Sequence, residues 1–402
     1  MPLTRDSHSV SVPHERPPLP PVASDSPMFV DDSPTHSIKQ HEADSYARLL
    51  QLNVCYDAMP TSSKMVVFDK DLLMKKAFNG LIYQNTRHVL ISSGGDGGKI
   101  SGILSVTDFI RVLLMKYREV MGVPSEHEVD CNDIGNMTVR QYRDFVESSG
   151  KLFQLVSIDA NQSILEAARL LAKYRIHRLP VMDPIEGSPL FIITHKRILK
   201  FLWCFGTQFS LPEYHVKTPR VLGVGTWENL KMVYPSTPLH ECLEILSTQN
   251  ISGVPVVDEE TKKMIGMYSR FDAIAIATDN DPNRLEKSVQ SALDFKNFNK
   301  NLASMVVSIN TTDTFWTAVQ VLVDRNVHRL CVLNEHQQVE GIISLADVIN
   351  YMVVKPGEHL QSPKAQHTPR VQRVEDMSNQ ELRRLLTTNN HDLEQQNEII
   401  QK

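Results

Sequence analysis

Residues 314–349 read TFWTAVQVLVDRNVHRLCVLNEHQQVEGIISLADVI. Apolar residues at three- and four-residue intervals through TFWTAVQVLVDRN predict an amphipathic helix behind a polar, cap-like start. The run VHRLCVLN predicts a buried strand, and after a polar turn QVEGIISLADVINYMV predicts a further strand and a second helix. A leading β-rich stretch, Met305-Val306-Val307-Ser308-Ile309, completes a β-α-β-β-α unit.

The same phrase occurs three more times upstream. The leading stretches are Met65-Val66-Val67-Phe68, Leu155-Val156-Ser157-Ile158 and Lys231-Met232-Val233-Tyr234. The first helices read LLMKKAFNGLIYQN, SILEAARLLAKYR and PLHECLEILSTQN, and the strands after them RHVLIS, IHRLPVMD and ISGVPVVD. The closing strand and helix read KISGILSVTDFIRVLL, SPLFIITHKRILKFLW and KMIGMYSRFDAIAIA. The interval from a basic or small residue after the first helix to the start of the last helix is nearly constant. It runs Arg87 to Asp108, Arg178 to Arg197, Gly253 to Asp272 and Arg329 to Asp347. Internal repetition of this kind decides the architecture ahead of any single motif. One unit alone leaves a sheet face naked and is too small to stand by itself, so the repeats are expected to pair, one with two and three with four.

The expected divisions follow. Residues 1–44 form a disordered N-terminal tail, rich in Pro, Ser, His and Asp. Residues 45–118 hold a pre-repeat segment and repeat one, 119–150 a linker, and 151–205 repeat two. Residues 206–226 join the modules, 227–280 hold repeat three, 281–302 a linker, and 303–356 repeat four. Residues 357–402 form a polar tail, in which Ser378-Asn379-Gln380-Glu381 opens a short helix carrying Leu382, Leu385, Leu386 and Leu393. The run Pro17-Pro18-Leu19-Pro20-Pro21 reads as solvated linker or as a polyproline ligand. The insert Gly94-Gly95-Asp96-Gly97-Gly98-Lys99 lacks the G-x-x-x-x-G-K-[ST] spacing and reads as a hairpin rather than a phosphate loop.

Composition narrows the classes. A net charge of −5 argues against nucleic acid or anionic membrane as the partner of the whole molecule. No apolar run is long enough for a membrane helix, and the N-terminus lacks the apolar core of a secretory signal. The five cysteines, Cys55, Cys131, Cys204, Cys242 and Cys331, are scattered singly and are expected as free thiols, without structural metal. A soluble protein of the cytoplasm, with the nucleus as a further location, is the expectation. H-R-D-x-x-x-x-N, D-F-G, G-x-S-x-G and H-E-x-x-H are all absent from the sequence, so no catalytic residues are assigned.

The fourfold phrase resembles the CBS repeat family. Its order of variants, with Pro60-Thr61-Ser62-Ser63-Lys64, IHRLPVMDP, Thr194-His195-Lys196-Arg197-Ile198-Leu199-Lys200-Phe201 and VHRL…GIISLADVI, is similar to the gamma-subunit family of AMP-activated protein kinases over roughly 46–356. The resemblance implies an α+β fold of two tandem modules in a flat, disc-like assembly. It also implies AMP, ADP and ATP as regulatory ligands, and a heterotrimer with a catalytic alpha and a scaffolding beta subunit. The segment around 46–68 is the candidate pairing edge.

A nucleotide needs an acceptor for its ribose hydroxyls and cations for its phosphate. Asp108, Asp272 and Asp347 start the last helices of three repeats, where a carboxylate can cap the helix or accept from ribose. Repeat two has Arg197 there, a donor only, which predicts an empty or different pocket. Phosphate candidates are Arg87, His177, Arg178, Lys196, Lys200, Lys296, His328 and Arg329, with Lys200 reading equally as a surface lysine. The resemblance adds Thr226, Ser252, Ser269 and Ser344 as polar contacts and Val156 and Val307 against the base. It further adds Ile103, Thr107, Lys231 and Arg270 to the nucleotide set. Ala346 replaces a frequent serine, and Lys296 an expected arginine whose planar fork is lost. Two other readings stay open: a ligand-independent structural subunit, and a sensor of another adenosyl ligand regulating a different enzyme or transporter.

Overall fold

In a computed structural model the described residues are 44–84, 86–94, 99–122, 136–148, 155–278, 283–299 and 306–361. The sequence readings of the two tails, the core of the glycine insert and residues 123–135 of the first linker lie outside them.

Repeats one, two and four build their sheets from a short parallel pair and an antiparallel hairpin, and repeat three from the hairpin alone. In repeat one, β1 (Val67–Asp69) pairs in parallel with β2 (His88–Ser92), which is antiparallel to β3 (Ile100–Ser105). Repeat two uses β4 (Ile158–Asp159), β5 (Leu179–Met182) and β6 (Pro189–Ile193) in the same order. In repeat three, β7 (Gly253–Val257) and β8 (Met264–Ser269) form a two-stranded sheet, and in repeat four β9 (Ser308–Asn310), β10 (Arg329–Leu333) and β11 (Val339–Ser344) complete the set. All four hairpins shift register at one matched place, between Ile91 and Ser92, Val181 and Met182, Val256 and Val257, and Val332 and Leu333. A shared bulge at one position is what four copies of one unit predict.

The helices follow the apolar periodicity. The pre-repeat helix α1 is Ser45–Leu52, and repeat one contributes α2 (Met74–Tyr83) and α3 (Val106–Val120). A further helix, α4 (Val139–Ser148), falls in the stretch read as a linker; its Val139, Tyr142 and Val146 are buried in the core of repeat one. Repeat two contributes α5 (Ile164–Lys173) and α6 (His195–Phe205), and repeat three α7 (Leu239–Thr248), with α8 (Val289–Asn299) beyond it. Repeat four has α9 (Phe315–Asp324) and α10 (Leu345–Ile349), the latter continuing as a π turn over Asn350–Val354.

Repeat three departs from its siblings twice. The stretch 231–234 forms no strand: Val233 alone bridges to Val256, and Pro235 next to it supplies no N–H to extend pairing. Its closing segment, Arg270–Thr278, is a 3-10 helix rather than an α-helix.

The apolar cores cross between the expected pairs. One core runs through the helices of repeats two and four and takes in Tyr46, Ala47 and Leu50 of α1. A second joins Val106, Ile110 and Leu114 of α3 to repeat three. Strand edges make the other connections. Ser63 Oγ donates to the Leu190 carbonyl between repeats one and two, and Met264 N to the Gln337 carbonyl between three and four. Pairing one with two and three with four is thus polar and edge-on, whereas helix stripes bury one against three and two against four.

Candidate functional site

Hairpin register builds the site. Arg329 lies opposite Ser344, and Gly253 opposite Ser269, so the residue that opens the second strand always faces the start of the last helix. The register also corrects the sequence alignment of repeat one. His88 lies opposite Ser105, so His88 matches Arg178, Gly253 and Arg329, while Arg87 takes the preceding place with His177, Ser252 and His328. The order His-Arg is therefore reversed in repeat one. At the glycine, an added Cβ would collide with the Arg329 guanidinium, so repeat three makes room for its neighbour's cation rather than supplying one. Arg329 Nη2 donates to Ser252 Oγ across the same gap.

Every closing helix starts in a matched way. Ser105 N and Oγ donate to Asp108 Oδ2 at 2.9 and 3.0 Å, Ser269 N and Oγ to Asp272 Oδ2 at 2.9 and 2.6 Å, and Ser344 N and Oγ to Asp347 Oδ2 at 2.8 and 2.7 Å. The serines are the caps and the aspartates their reciprocal partners two residues inside the helix, a refinement of the expectation that the carboxylate itself caps. Only one oxygen of each carboxylate is used in this way. Asp108 spends its other one, since Tyr142 donates to Oδ1 at 3.3 Å. In repeat two Thr194 is the cap, accepting from Arg197 N, and Arg197 Nε donates at 2.6 Å to the Ala58 carbonyl.

The four repeats open onto one cavity of about 390 Å³. Arg87, Arg178, Arg270 and Arg329 face it as permanent cations and Lys196 as a titratable one, with Asp272, 7 % exposed, as the one carboxylate among its lining residues. Side chains reach across repeats. Arg87 Nη1 meets His328 Nε2 at 2.8 Å, and its guanidinium sits over the Phe271 ring, 4.5 Å from the centroid. Arg270 donates to Thr107 Oγ1 of repeat one and to the carbonyl of Leu246, and Lys196 Nζ to the carbonyl of Asn326 at 2.6 Å. Arg329 Nη1 and Arg270 Nε are buried without an acceptor among the described residues.

Desolvation controls the ionisation. Burial first, then neighbouring cations, lowers Arg178 to about 10 and Lys196 to about 8. Burial is also the main cause of the values of about 10 for Arg270 and Arg329. The arginines stay charged at neutral pH, and Lys196 mostly so. The same two causes push His177 down to about 4 and His328 to about 3, so both rings are neutral. A pocket that holds uncompensated positive charge out of water is built for an anion.

Of the candidates named above, the cavity gathers Arg87, Thr107, His177, Arg178, Lys196, Ser252, Ser269, Arg270, Asp272, Val307, His328, Arg329 and Ser344. Ile103, Asp108, Val156 and Asp347 are half-buried outside its lining, and Lys200, Thr226 and Lys231 are exposed. The side chain of Lys296 lies outside the described residues. His195, 7 % exposed, and Phe271 line the cavity without having been assigned a role from sequence. His195 stands inside the quoted Thr194–Phe201 run, which was the available signal.

The CBS-domain family model matches residues 152–203, 224–278 and 302–354. Repeat one lies outside these matches but shares the fold of the three matched units, so the chain matches CBS domains in three places and repeats their architecture in a fourth. Among proteins it is similar to are gamma subunits of 5'-AMP-activated protein kinase. It is 37% identical over 316 residues to the gamma-3 subunit of Sus scrofa, covering 78% of this chain and 59% of that protein. It is 36% identical over 321 residues to the gamma-3 subunit of Homo sapiens, covering 79% and 63%. The chain thus spans about three fifths of the length of these relatives. A crystal structure of a Methanocaldococcus jannaschii protein, proposed as an archaeal homologue of the gamma subunit, superposes with a TM-score of 0.57 at 16% identity. It covers 74% of this chain and 99% of its own, a likeness of fold. Among the described residues, no helix is long and apolar enough to cross a membrane and no cluster could hold a metal ion.

Proposed function

We propose that this chain is a non-catalytic regulatory subunit of an AMP-activated protein kinase, binding AMP, ADP and ATP in competition and passing their balance to a catalytic alpha subunit held with a scaffolding beta subunit. The observation that carries the reading is the shared cavity, in which five cations face one carboxylate and capping-box carboxylates stand at the helix starts around it. Phosphate would meet Arg87, Arg178, Arg329 and Lys196, each charge-assisted bond contributing about 1.5–3 kcal/mol. Ribose would meet the second carboxylate oxygen at Asp347, at Asp272 in competition with its present interactions, and at Asp108 in exchange for Tyr142 and Arg111. Repeat two offers no such acceptor, because Arg197 is a donor committed to the Ala58 carbonyl. Regulation by the occupant is a coupling free energy, typically about 1–3 kcal/mol and reciprocal between sites.

Calorimetric titration of the full chain, freed of carried-over nucleotide, tests the reading. Micromolar AMP binding, competed by ADP and ATP and weakened by Asp272→Ala, is expected. Folded, nucleotide-free protein that takes up none of the three would sink it.

A further inference from the structure

Three histidines line the cavity: His177 and His195 from repeat two and His328 from repeat four. Arg87 Nη1 stands 2.8 Å from His328 Nε2, and a guanidinium has no lone pair to offer, so the imidazole accepts at that nitrogen. His177 and His195 meet edge to face with centroids 6.1 Å apart. The charged neighbours of these rings are cationic on every side. His328 feels Arg87 from repeat one, Lys196 and Arg178 from repeat two, and Arg329 beside it. His177 feels Arg178 beside it, Arg270 from repeat three and Arg329 from repeat four, while His195 feels His177. The lining carboxylate, Asp272, is turned to Ser269 and acts on Arg87 and Arg329 rather than on the rings. Burial first and these cationic neighbours second keep all three rings neutral near pH 7, with values of about 4, 4 and 3.

We infer that a phosphate entering this cavity draws protons onto the histidines, so that nucleotide binding is coupled to proton uptake and tightens as pH falls. The inference rests on the reading of the cavity as a phosphate site. A phosphate dianion reverses the electrostatic balance at the rings. It opposes the cations that disfavour imidazolium, it competes for the Arg87 N–H that now occupies His328 Nε2, and it accepts hydrogen bonds from imidazolium. A group protonated more readily in the complex than in the free protein binds protons on association, and affinity then rises about tenfold per pH unit for each proton taken up. The ligand acts in the opposite sense. A phosphate with a second pKa near ~6 can only shed its residual proton in a cationic cavity, and at pH 7.5 little of that proton remains.

Calorimetry of the full chain with AMP at pH 7.5, in two buffers of unlike ionisation heat, reads the proton count directly. Net uptake of about 0.5–1 proton per AMP is expected, with affinity about 3–10-fold higher at pH 7 than at pH 8. AMP binding with no buffer dependence, or with net release, overturns the linkage and leaves the nucleotide reading intact. Absence of AMP binding in both buffers overturns the nucleotide reading itself. His328→Asn and His177→Asn should each retain weakened binding with reduced uptake; undiminished uptake in both would assign the protons to Lys196, whose value of about 8 leaves it partly neutral at pH 7.5, and overturn the inference. Imidazole nitrogen shifts of the unsubstituted chain with and without AMP give the same answer without relying on a variant's folding: rings that stay neutral in the complex overturn it.

Discussion

Repeats two and four use one design to opposite ends. Both close with a strand that delivers a hydroxyl cap, Thr194 or Ser344, to the start of a helix. Both carry His-Arg at the head of the second strand, His177-Arg178 and His328-Arg329, and all four side chains line the cavity. They part at the third helical residue. Asp347 returns the capping bond and keeps an oxygen for another partner, whereas Arg197 turns to the Ala58 carbonyl and ties the pre-repeat segment down. Helix initiation tolerates either residue because the hydroxyl of the cap satisfies the orphan N–H alone. That tolerance frees the third position to choose between an uncommitted acceptor oxygen and an internal strap. One repeat thus anchors the chain while its cations still serve the shared cavity.

The comparison breaks most visibly if repeat four is given repeat two's residue. Asp347→Arg should remove one nucleotide equivalent from the titration and cost about 1–2 kcal/mol of stability, from the lost reciprocal cap and a badly placed cation. An unchanged stoichiometry would mean that the third helical position does not select. The converse, Arg197→Asp, sharpens the point. If that residue alone closes repeat two, one further equivalent of AMP should bind; if no equivalent is gained, the 55–58 turn packed there is what closes it.

The shared part of the design should respond alike in both repeats. Thr194→Ala and Ser344→Ala are each expected to lower stability by about 1 kcal/mol, read in chemical denaturation. A loss confined to one repeat would show that the two caps are not equivalent.

Acid should weaken the ligand-free chain through the same cavity. The rings of His177, His195 and His328 are depressed in the folded state, to about 4, 4 and 3, against a usual value near ~6.5. Between those limits the unfolded chain binds more protons than the folded one. Their contribution to stability is therefore complete above about pH 6.5 and is lost progressively as pH falls toward the folded values. Thermal unfolding without nucleotide should come at lower temperature at pH 5 than at pH 7, and a flat profile would contradict the buried, neutral state of these rings. The smallest effect is expected outside the cavity: Lys231→Ala, at an exposed position, should leave AMP affinity within about twofold.

Much of this architecture was legible in the residues themselves. Apolar spacing located the helices, and repetition located the strands, because each copy restates where the core-facing positions fall. Asp108, Asp272 and Asp347 stood out through their matched places, as did Arg197 through its opposite charge. Several things escaped, among them the helix Val289–Asn299 in the stretch 281–302 read as a linker. The helix Val139–Ser148 escaped because its polar faces outweigh the buried Val139, Tyr142 and Val146 in a linear reading. The reversal at Arg87 and His88 is a matter of strand register, and a one-residue offset is invisible until Ser105 is placed opposite His88. The part played by His195 is signalled by its place in the quoted Thr194–Phe201 run alone, since nothing else local distinguishes a buried cavity histidine from a core one.

By itself, then, the order of residues determined the repeating unit, its secondary structure and the chemistry available at each helix start, because those depend on periodicity and on neighbours along the chain. Only the tertiary structure decided which repeats bury their helices together and which carboxylate faces the cations. It alone brought Arg87, Arg178, Arg270, Lys196 and Arg329, from four different repeats, to one cavity. Electrostatic interaction depends on distance and burial through space, and neither is a function of separation along the sequence.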